Sequence, residues 1–250
     1  MFRNRVSDSV IFACALFAAW LISGSCLAQT EKLSLSTGAL PPIGSVPGHP
    51  GFIEELARTA FKRIGVDVDV ITVPVERSLI NANSGLDDGD IYRVAGVERE
   101  YPNLIRVPEK VLDTDFVAYS KRSGIRIRNW ADLKPYSVAY ATGWKAYERN
   151  VKEAREVTNT SSLHELPALL ESGRVDVILM DRWQGRWVIQ QGGYKFHLHE
   201  PPLARFERFM YLNKKHAALV PRVAKALAEM KADGSYQKLY NRYLKPLDTR

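Results

Sequence analysis

One short apolar run constrains the fold of this chain more than any other stretch. Residues Val175–Met180, interrupted only by the charge of Asp176, follow a helix-like segment that ends at Ser172-Gly173. A run rich in Val, Ile and Leu after a glycine is typical of a strand covered on both faces, as in parallel α/β sheets. Ligands of such sheets lie beyond the carboxyl ends of the strands. Asp181 stands directly after the run, and we therefore expect its carboxylate to meet a small ligand.

Strand-like and helix-like patterns alternate along the rest of the chain. Lys32–Ser36 and Val66–Thr72 alternate like strands, and the apolar residues between Ile53 and Ile64 have helical spacing. Phe116–Tyr119 and Arg205–Leu212 are expected to be extended crossings between two halves of the molecule. The order predicts an α/β fold with largely parallel sheets. Further helices are predicted at Pro74–Ser84, Lys145–Lys152, Ser162–Leu170 (opened by a capping box of Ser162 and Glu165), Trp183–Gln191, Val220–Met230 and Tyr236–Leu244.

The N-terminus has the three parts of a secretory signal. Arg3 and Arg5 precede an uncharged apolar run, Val10–Ile22, and small residues follow up to Ala28. We expect cleavage after Ala28, which makes residues 1–28 a signal peptide and the protein periplasmic. A retained membrane anchor is the alternative, but the 13 apolar residues fall short of the roughly 20 that span a bilayer. Attachment of a lipid to Cys26 is a further alternative. The residues before it, Ser23-Gly24-Ser25, lack the aliphatic residue that lipoprotein signals usually have three positions before the cysteine.

Composition narrows the chemistry that this chain can perform. Both cysteines, Cys14 and Cys26, lie in the expected signal, so no disulfide, thiolate nucleophile or cysteine-ligated metal is predicted for the rest. The net charge of +7 comes from scattered Lys and Arg, not from a basic stripe, and nucleic-acid binding is not expected. The five histidines are dispersed; His197 and His199 could face one way on a strand but have no third ligand. No cofactor and no metal site are predicted.

The order of several segments resembles the bacterial extracellular solute-binding proteins of family 3, which bind polar amino acids and similar ions. The resemblance implies a type II periplasmic binding protein: two α/β lobes, two hinge strands and a ligand cleft between the lobes. It divides the chain into a first lobe at 29–120, a second at 121–206 and a return to the first at 207–250. The segments that carry the resemblance are KLSLSTGALPP, GFIEELARTAFKRIGVDVDV, WADLKPYSVAYATGW, SLHELPALLESGRVDVILMDR and VAKALAEMKADGSYQKLYNRYL.

The resemblance also implies roles for residues of the second lobe. Asp181 matches the acid that pairs with the α-amino group of the ligand. Gly143-Trp144 matches the step at a helix start that helps to hold the ligand carboxylate, since free N–H groups there attract anions. Trp144 would add bulk or stacking in place of the usual hydroxyl. The structural alternative for Asp181 is an ion pair with Arg182 or Arg186.

In the first lobe, the resemblance implies an arginine that clamps the ligand carboxylate. Arg93 or Arg99 could serve; Arg93 is preferred because a charge inside an apolar strand run needs a reason. Arg77, near a helix start, is a second candidate, and a structural or surface ion pair is the alternative for each. The aromatic residue that family members have after the Pro-Pro turn is replaced by Ile43, which leaves a different small anion open as the ligand.

We therefore expect a monomeric binding protein, not an enzyme. It would close on a small zwitterion or anion and present it to an inner-membrane ABC permease. An orphan sensor or accessory protein is one alternative. An enzyme similar to cyclohexadienyl dehydratases, which share the resemblance, is another; Asp181 or Glu98 would then transfer a proton. No hydrolase, metalloprotease or dinucleotide-binding motif is present in the sequence.

Overall fold

The computed structural model of the chain describes residues 32–247. The expected signal peptide lies outside these residues. The strands are β1 Lys32–Thr37, β2 Asp67–Thr72, β3 Gly89–Val94, β4 Leu104–Arg106, β5 Leu112–Ser120, β6 Ser137–Ala141, β7 Glu156–Thr160, β8 Val177–Asp181, β9 His197–Leu198 and β10 Ala204–Asn213. The helices are α1 Phe52–Arg63, α2 Val75–Ser84, α3 Lys145–Asn150, α4 Leu166–Glu171, α5 Arg182–Gly192, α6 Val220–Ala232 and α7 Ser235–Tyr243. None of the helices within 32–247 is long and apolar enough to cross a membrane.

The strands form one curled sheet in the order β2-β1-β3-β10-β5-β8-β6-β7, with β4 on β10 and β9 on β5. We call β1–β4 with α1 and α2 lobe 1, and β6–β8 with α3–α5 lobe 2. Within each lobe the neighbouring strands β2-β1-β3 and β8-β6-β7 are parallel. The prediction of largely parallel sheets was wrong at the centre, where β5 and β10 run antiparallel to their neighbours. An antiparallel centre follows from two strands that cross between the lobes in opposite directions.

Strand β10 changes partner at Arg208. This residue faces Val94 of β3 and Leu112 of β5. Before it, the strand pairs with β5, and after it with β3 and β4 of lobe 1. Arg208 therefore lies at the point where the two lobes join.

Lobe 1 is built around α1, whose predicted apolar face is fully buried. Phe52, Leu56 and Phe61 have no exposed surface, and each such side chain stabilises the fold by about 1.5–3 kcal/mol. The C-terminal helices α6 and α7 contact α1 as well as each other. The end of the chain thus packs on the first lobe.

Lobe 2 positions the acid that the sequence singled out. All five residues of β8 are buried, and the strand ends at Asp181, where α5 begins. The predicted capping box was wrong in detail. Ser162 accepts a hydrogen bond from the amide of His164, but the Glu165 carboxylate accepts from the hydroxyl of Ser161 instead (2.8 Å). Strand β7 has no counterpart in the sequence predictions.

Candidate functional site

Both lobes and both crossing strands meet at a small cavity. Its volume is about 20 Å³, which is room for one or two water molecules. Wider grooves of about 290 and 430 Å³ open outside it between the same two lobes. The inner cavity is lined by Leu79, Arg93, Val94 and Val97 of lobe 1, by Gly143, Trp144, Lys145 and Ala146 of lobe 2, and by Phe116 and Arg208 of the crossing strands.

Arg93 reaches this cavity from β3, as expected of a charge in an apolar strand run. It is only 6% exposed. Its Nε donates to Asp90 Oδ2 (2.7 Å), and its Nη2 donates to the Val75 carbonyl (2.7 Å) and to the Ser78 hydroxyl. The Asp90 contact is a buried ion pair, which is the structural alternative named for this residue. Together with the first turn of α2 it fixes the guanidinium at the cavity wall.

The other two candidate arginines lie elsewhere. Arg77 is exposed on α2 and lines an outer groove together with Thr142 and Ser161. Arg99 is exposed in the short turn Val97–Arg99 and is not part of the cavity wall. The structure therefore brings Arg93, but not Arg77 or Arg99, together with Gly143 and Trp144.

Gly143 lets the two lobes approach closely. Its φ of 90° is in the left-handed region that favours glycine. A Cβ at this position would lie 2.6 Å from the backbone nitrogen of Glu76 in lobe 1, so any larger residue would clash. The amide of Gly143 is already occupied, because it donates to Glu148 Oε1 (2.9 Å). Gly143 thus allows lobe 2 to pack closely against the backbone of lobe 1 beside the cavity.

Trp144 fills much of the space beside Gly143. Its side chain is 5% exposed and lies edge-on to Phe116, with ring centroids 5.6 Å apart. The indole Nε1 is buried and has no hydrogen-bond partner among residues 32–247. A buried N–H without an acceptor is uncommon in folded proteins and calls for a reason.

Asp181 is fully buried, and its carboxylate is surrounded by donors from the protein itself. Oδ1 accepts from the amides of Trp183 (2.9 Å) and Gln184 (3.4 Å), which caps the start of α5. Oδ2 accepts from the hydroxyls of Tyr92 (3.0 Å) and Thr114. Four donors match the four lone-pair positions of a carboxylate. Burial and the Asp181 charge together hold the pKa of Tyr92 well above its ordinary value.

Of the two suggested ion-pair partners of Asp181, Arg186 donates through Nη1 to the Leu247 carbonyl (2.8 Å), and Arg182 belongs to another cluster. Arg182 donates through Nε to Asp115 (3.0 Å) and through Nη1 to Glu200 (2.6 Å). Hydrogen bonds and charge from these two acids raise the pKa of Arg182 despite its partial burial, which acts in the opposite direction. The structural role of Asp181 thus comes from hydroxyls and backbone amides, not from Arg182.

Arg208 was missed in the sequence analysis. It is 3% exposed, and its guanidinium lies over the rings of Tyr92 (4.6 Å), Phe116 (4.8 Å) and Trp144 (4.8 Å). Its Nη2 is 3.7 Å from Asp181 Oδ2, too far for a hydrogen bond. Arg208 directly precedes the apolar run Phe209–Leu212, and a charge at the start of such a run is the signal that could have found it.

Two contacts join the lobes across the cleft. Lys145 of lobe 2 pairs with Glu76 of lobe 1 (3.1 Å), and the amide of Leu40 donates to Gln184 (2.7 Å). The hydroxyl of Tyr101 also donates to Glu76 (2.6 Å), and burial together with this carboxylate raises the pKa of Tyr101 to about 12.

Glu98, the second acid considered for proton transfer, and His199, considered for metal binding, are not part of the cavity lining. Glu98 accepts from the hydroxyl of Tyr211 (2.8 Å), and although burial raises its pKa, hydrogen bonds and Arg106 lower it overall. His199 bonds through Nε2 to Ser120 (2.8 Å). Residues 32–247 contain no group of three or more His, Cys, Asp or Glu side chains that could hold a metal ion.

Comparison with known proteins places this geometry in a family. The model for bacterial extracellular solute-binding proteins, family 3, matches residues 36–246. An ancestral arginine-binding protein bound to arginine is similar in structure, with a TM-score of 0.75 and 22% identity over 85% of this chain and 98% of that one.

Two further solved structures share the fold. The substrate-binding protein of an amino acid ABC transporter has a TM-score of 0.73 and 18% identity, over 86% of this chain and 99% of its own. A histidine kinase sensor domain similar to periplasmic binding proteins has a TM-score of 0.72 and 16% identity, over 86% and 96%. The predicted two-lobed type II fold is confirmed by these similarities.

Proposed function

Because the chain belongs to the bacterial extracellular solute-binding proteins of family 3, we propose that it captures a small amino-acid-like or anionic ligand by closing its two lobes. It would then deliver the ligand to an ABC transporter in the inner membrane. The observation that carries the proposal is the cavity at which Arg93 of lobe 1 faces Gly143 and Trp144 of lobe 2. The protein would act in the periplasm as a monomer, with lobes at 29–120 and 121–206 and a return to the first lobe at 207–250.

The lobes would close by bending β5 and β10, the two strands that cross between them. A ligand held by both lobes favours the closed state by its difference in affinity for the two states. Arg93 is the proposed carboxylate contact, because its guanidinium is already oriented by Asp90 and the first turn of α2. Arg77 would act only at the outer groove.

A thermal-shift screen of amino acids, amines and carboxylic acids tests this proposal. A ligand in excess raises the melting temperature by mass action, by about 2.7 kcal/mol of added stability at 100 times its Kd. Arg93→Ala should abolish the shift given by any carboxylate hit. Arg99→Ala, an exposed change outside the cavity, should leave the shift intact. Equal shifts in the two variants would remove Arg93 from the site.

A sensor role is the second candidate, favoured by the likeness to a histidine kinase sensor domain. Genes for a permease and an ATPase beside the gene of this protein would support transport, and their absence would support sensing. Catalysis is not proposed, because the donors around Asp181 and the lowered pKa of Glu98 suit neither acid to proton transfer. Incubation with prephenate or arogenate should give no turnover; product formation would overturn this part of the proposal.

A further inference from the structure

The side chain of Arg208 occupies the place beside Asp181 that a ligand ammonium group would need. Its guanidinium is enclosed by Tyr92, Phe116 and Trp144 at 4.6–4.8 Å, and its Nη2 is 3.7 Å from Oδ2 of Asp181. Aromatic faces and a carboxylate are the partners that proteins offer to bound cations. In this cleft the cation is part of the chain itself.

Asp181 has no free position for a ligand amine. Its four acceptor positions are taken by the amides of Trp183 and Gln184 and by the hydroxyls of Tyr92 and Thr114. A ligand ammonium group would have to displace one of these donors and the guanidinium of Arg208. An ammonium group brought here would be desolvated without an acceptor, which is costly.

The inner cleft instead offers unused hydrogen-bond donors. Nε and Nη2 of Arg208 are buried without a hydrogen-bond partner in the described part of the chain, and so is Nε1 of Trp144. Nε and Nη2 stand on one edge of the guanidinium, and this fork matches the two oxygens of a carboxylate. Both side chains line the same cavity as Arg93.

We propose that the inner cleft binds the carboxylate of a small organic anion that has no ammonium group beside it. Nε and Nη2 of Arg208 would hold the carboxylate as a fork, with Trp144 Nε1 as a further donor. Arg93, whose charge is paired with Asp90, lines the same cavity. Arg208 is thus a specificity-determining residue that excludes amino-acid zwitterions. The inference rests on the proposed function and narrows its ligand class. Since the closed cavity holds only about 20 Å³, the lobes open to admit the anion.

Matched pairs of compounds test the charge preference in the purified protein. Acetate and glycine differ by one ammonium group, as do propionate and alanine, and succinate and aspartate. Isothermal titration calorimetry should show binding of the carboxylate member of at least one pair. Its amino-acid partner should bind at least about tenfold more weakly, because the ammonium group would be buried without a hydrogen-bond acceptor. Equal or tighter binding of the amino acids would overturn the inference.

Two variants test the residues themselves. Arg208→Lys keeps the charge but loses the fork, and should weaken carboxylate binding about tenfold or more. Trp144→Phe keeps an aromatic ring but removes the N–H donor, and should weaken it in the same direction. Arg205→Lys on the same strand is the control, because Arg205 is exposed and pairs with Asp115 away from the cavity. If Arg208→Lys does not fold, unchanged carboxylate binding in Trp144→Phe would still refute the site.

The outcomes separate this inference from the proposed function. If amino acids bind and the matched carboxylates do not, the binding protein remains but the role of Arg208 is refuted. If no amino acid, amine or carboxylate binds, the proposed function itself fails.

Discussion

Replacing Asp181 should destabilise the protein before any ligand is considered. Its carboxylate accepts two amides at the start of α5 and two buried hydroxyls, from Tyr92 and Thr114. Loss of an N-cap costs about 1 kcal/mol. Each hydroxyl bond to the charged group contributes about 1.5–3 kcal/mol. The expected cost of Asp181→Ala is therefore about 4–7 kcal/mol, with a further cost for leaving Arg208 without its neighbouring charge.

Such a loss is comparable with the whole stability of a domain, which is about 5–15 kcal/mol. Asp181→Asn keeps an oxygen that can cap α5, so it should cost about half as much, roughly 2–4 kcal/mol. Asp113→Ala is the matched control, since this exposed acid on β5 pairs with Lys110 (3.0 Å) and should cost under about 1 kcal/mol.

Urea unfolding of the ligand-free protein, followed by far-UV circular dichroism, measures these costs. A change below about 1 kcal/mol for Asp181→Ala would contradict the reasoning, because it is the result expected of an acid held ready for a ligand and not bonded within the protein.

Two further predictions concern closure and pH. Lys145→Met removes the pair with Glu76 across the cleft (3.1 Å) and should favour opening of the lobes by up to about 1 kcal/mol. Small-angle scattering would show the opening as a larger radius of gyration. The control is Lys134→Met, which breaks an exposed pair within lobe 2 (3.8 Å) and should leave the radius of gyration unchanged. Burial, with a smaller effect of His197, lowers the pKa of His199 from its ordinary value of 6.5, so the unfolded chain binds this proton more tightly. Stability should therefore fall as the pH drops below about 6.5, and His199→Gln should flatten this dependence, whereas an unchanged slope would exclude His199 as its source.

The sequence predicted the elements whose patterns are local. The buried strand before Asp181 follows from a run of apolar residues, and the helix around Leu56 follows from its spacing. Strand β7 was missed because EVTNT has one apolar residue, Val157, and that residue is exposed on the last strand of the sheet. Its pairing with β6 makes it a strand, and pairing leaves no trace in its own composition.

Arg93 was proposed as a ligand contact because its charge interrupts an apolar run, and Gly143 and Trp144 were proposed because of the family resemblance. All three line the cavity. The environment of Asp181 could not be read from the chain, because its hydroxyl partners stand 89 and 67 residues away, at Tyr92 and Thr114. Arg208 stands at the start of the apolar run Phe209–Leu212, but its strand was interpreted only as a crossing between lobes.

Closure of the two lobes over the inner cavity is the central claim, and a distance between the lobes tests it most directly. In a background with Cys14→Ser and Cys26→Ser, cysteines introduced by Lys62→Cys and Lys152→Cys place spin labels at exposed positions of lobes 1 and 2. Double electron–electron resonance then measures the distance with and without Gly143→Ala, whose Cβ would lie 2.6 Å from the Glu76 nitrogen.

The control is Gly96→Ala, at a similar φ of 93° but with open space around the added Cβ. We expect the short distance of the closed state in the parent and in Gly96→Ala, and a longer distance in Gly143→Ala. The same distance in all three proteins would contradict closure over the cavity at Gly143.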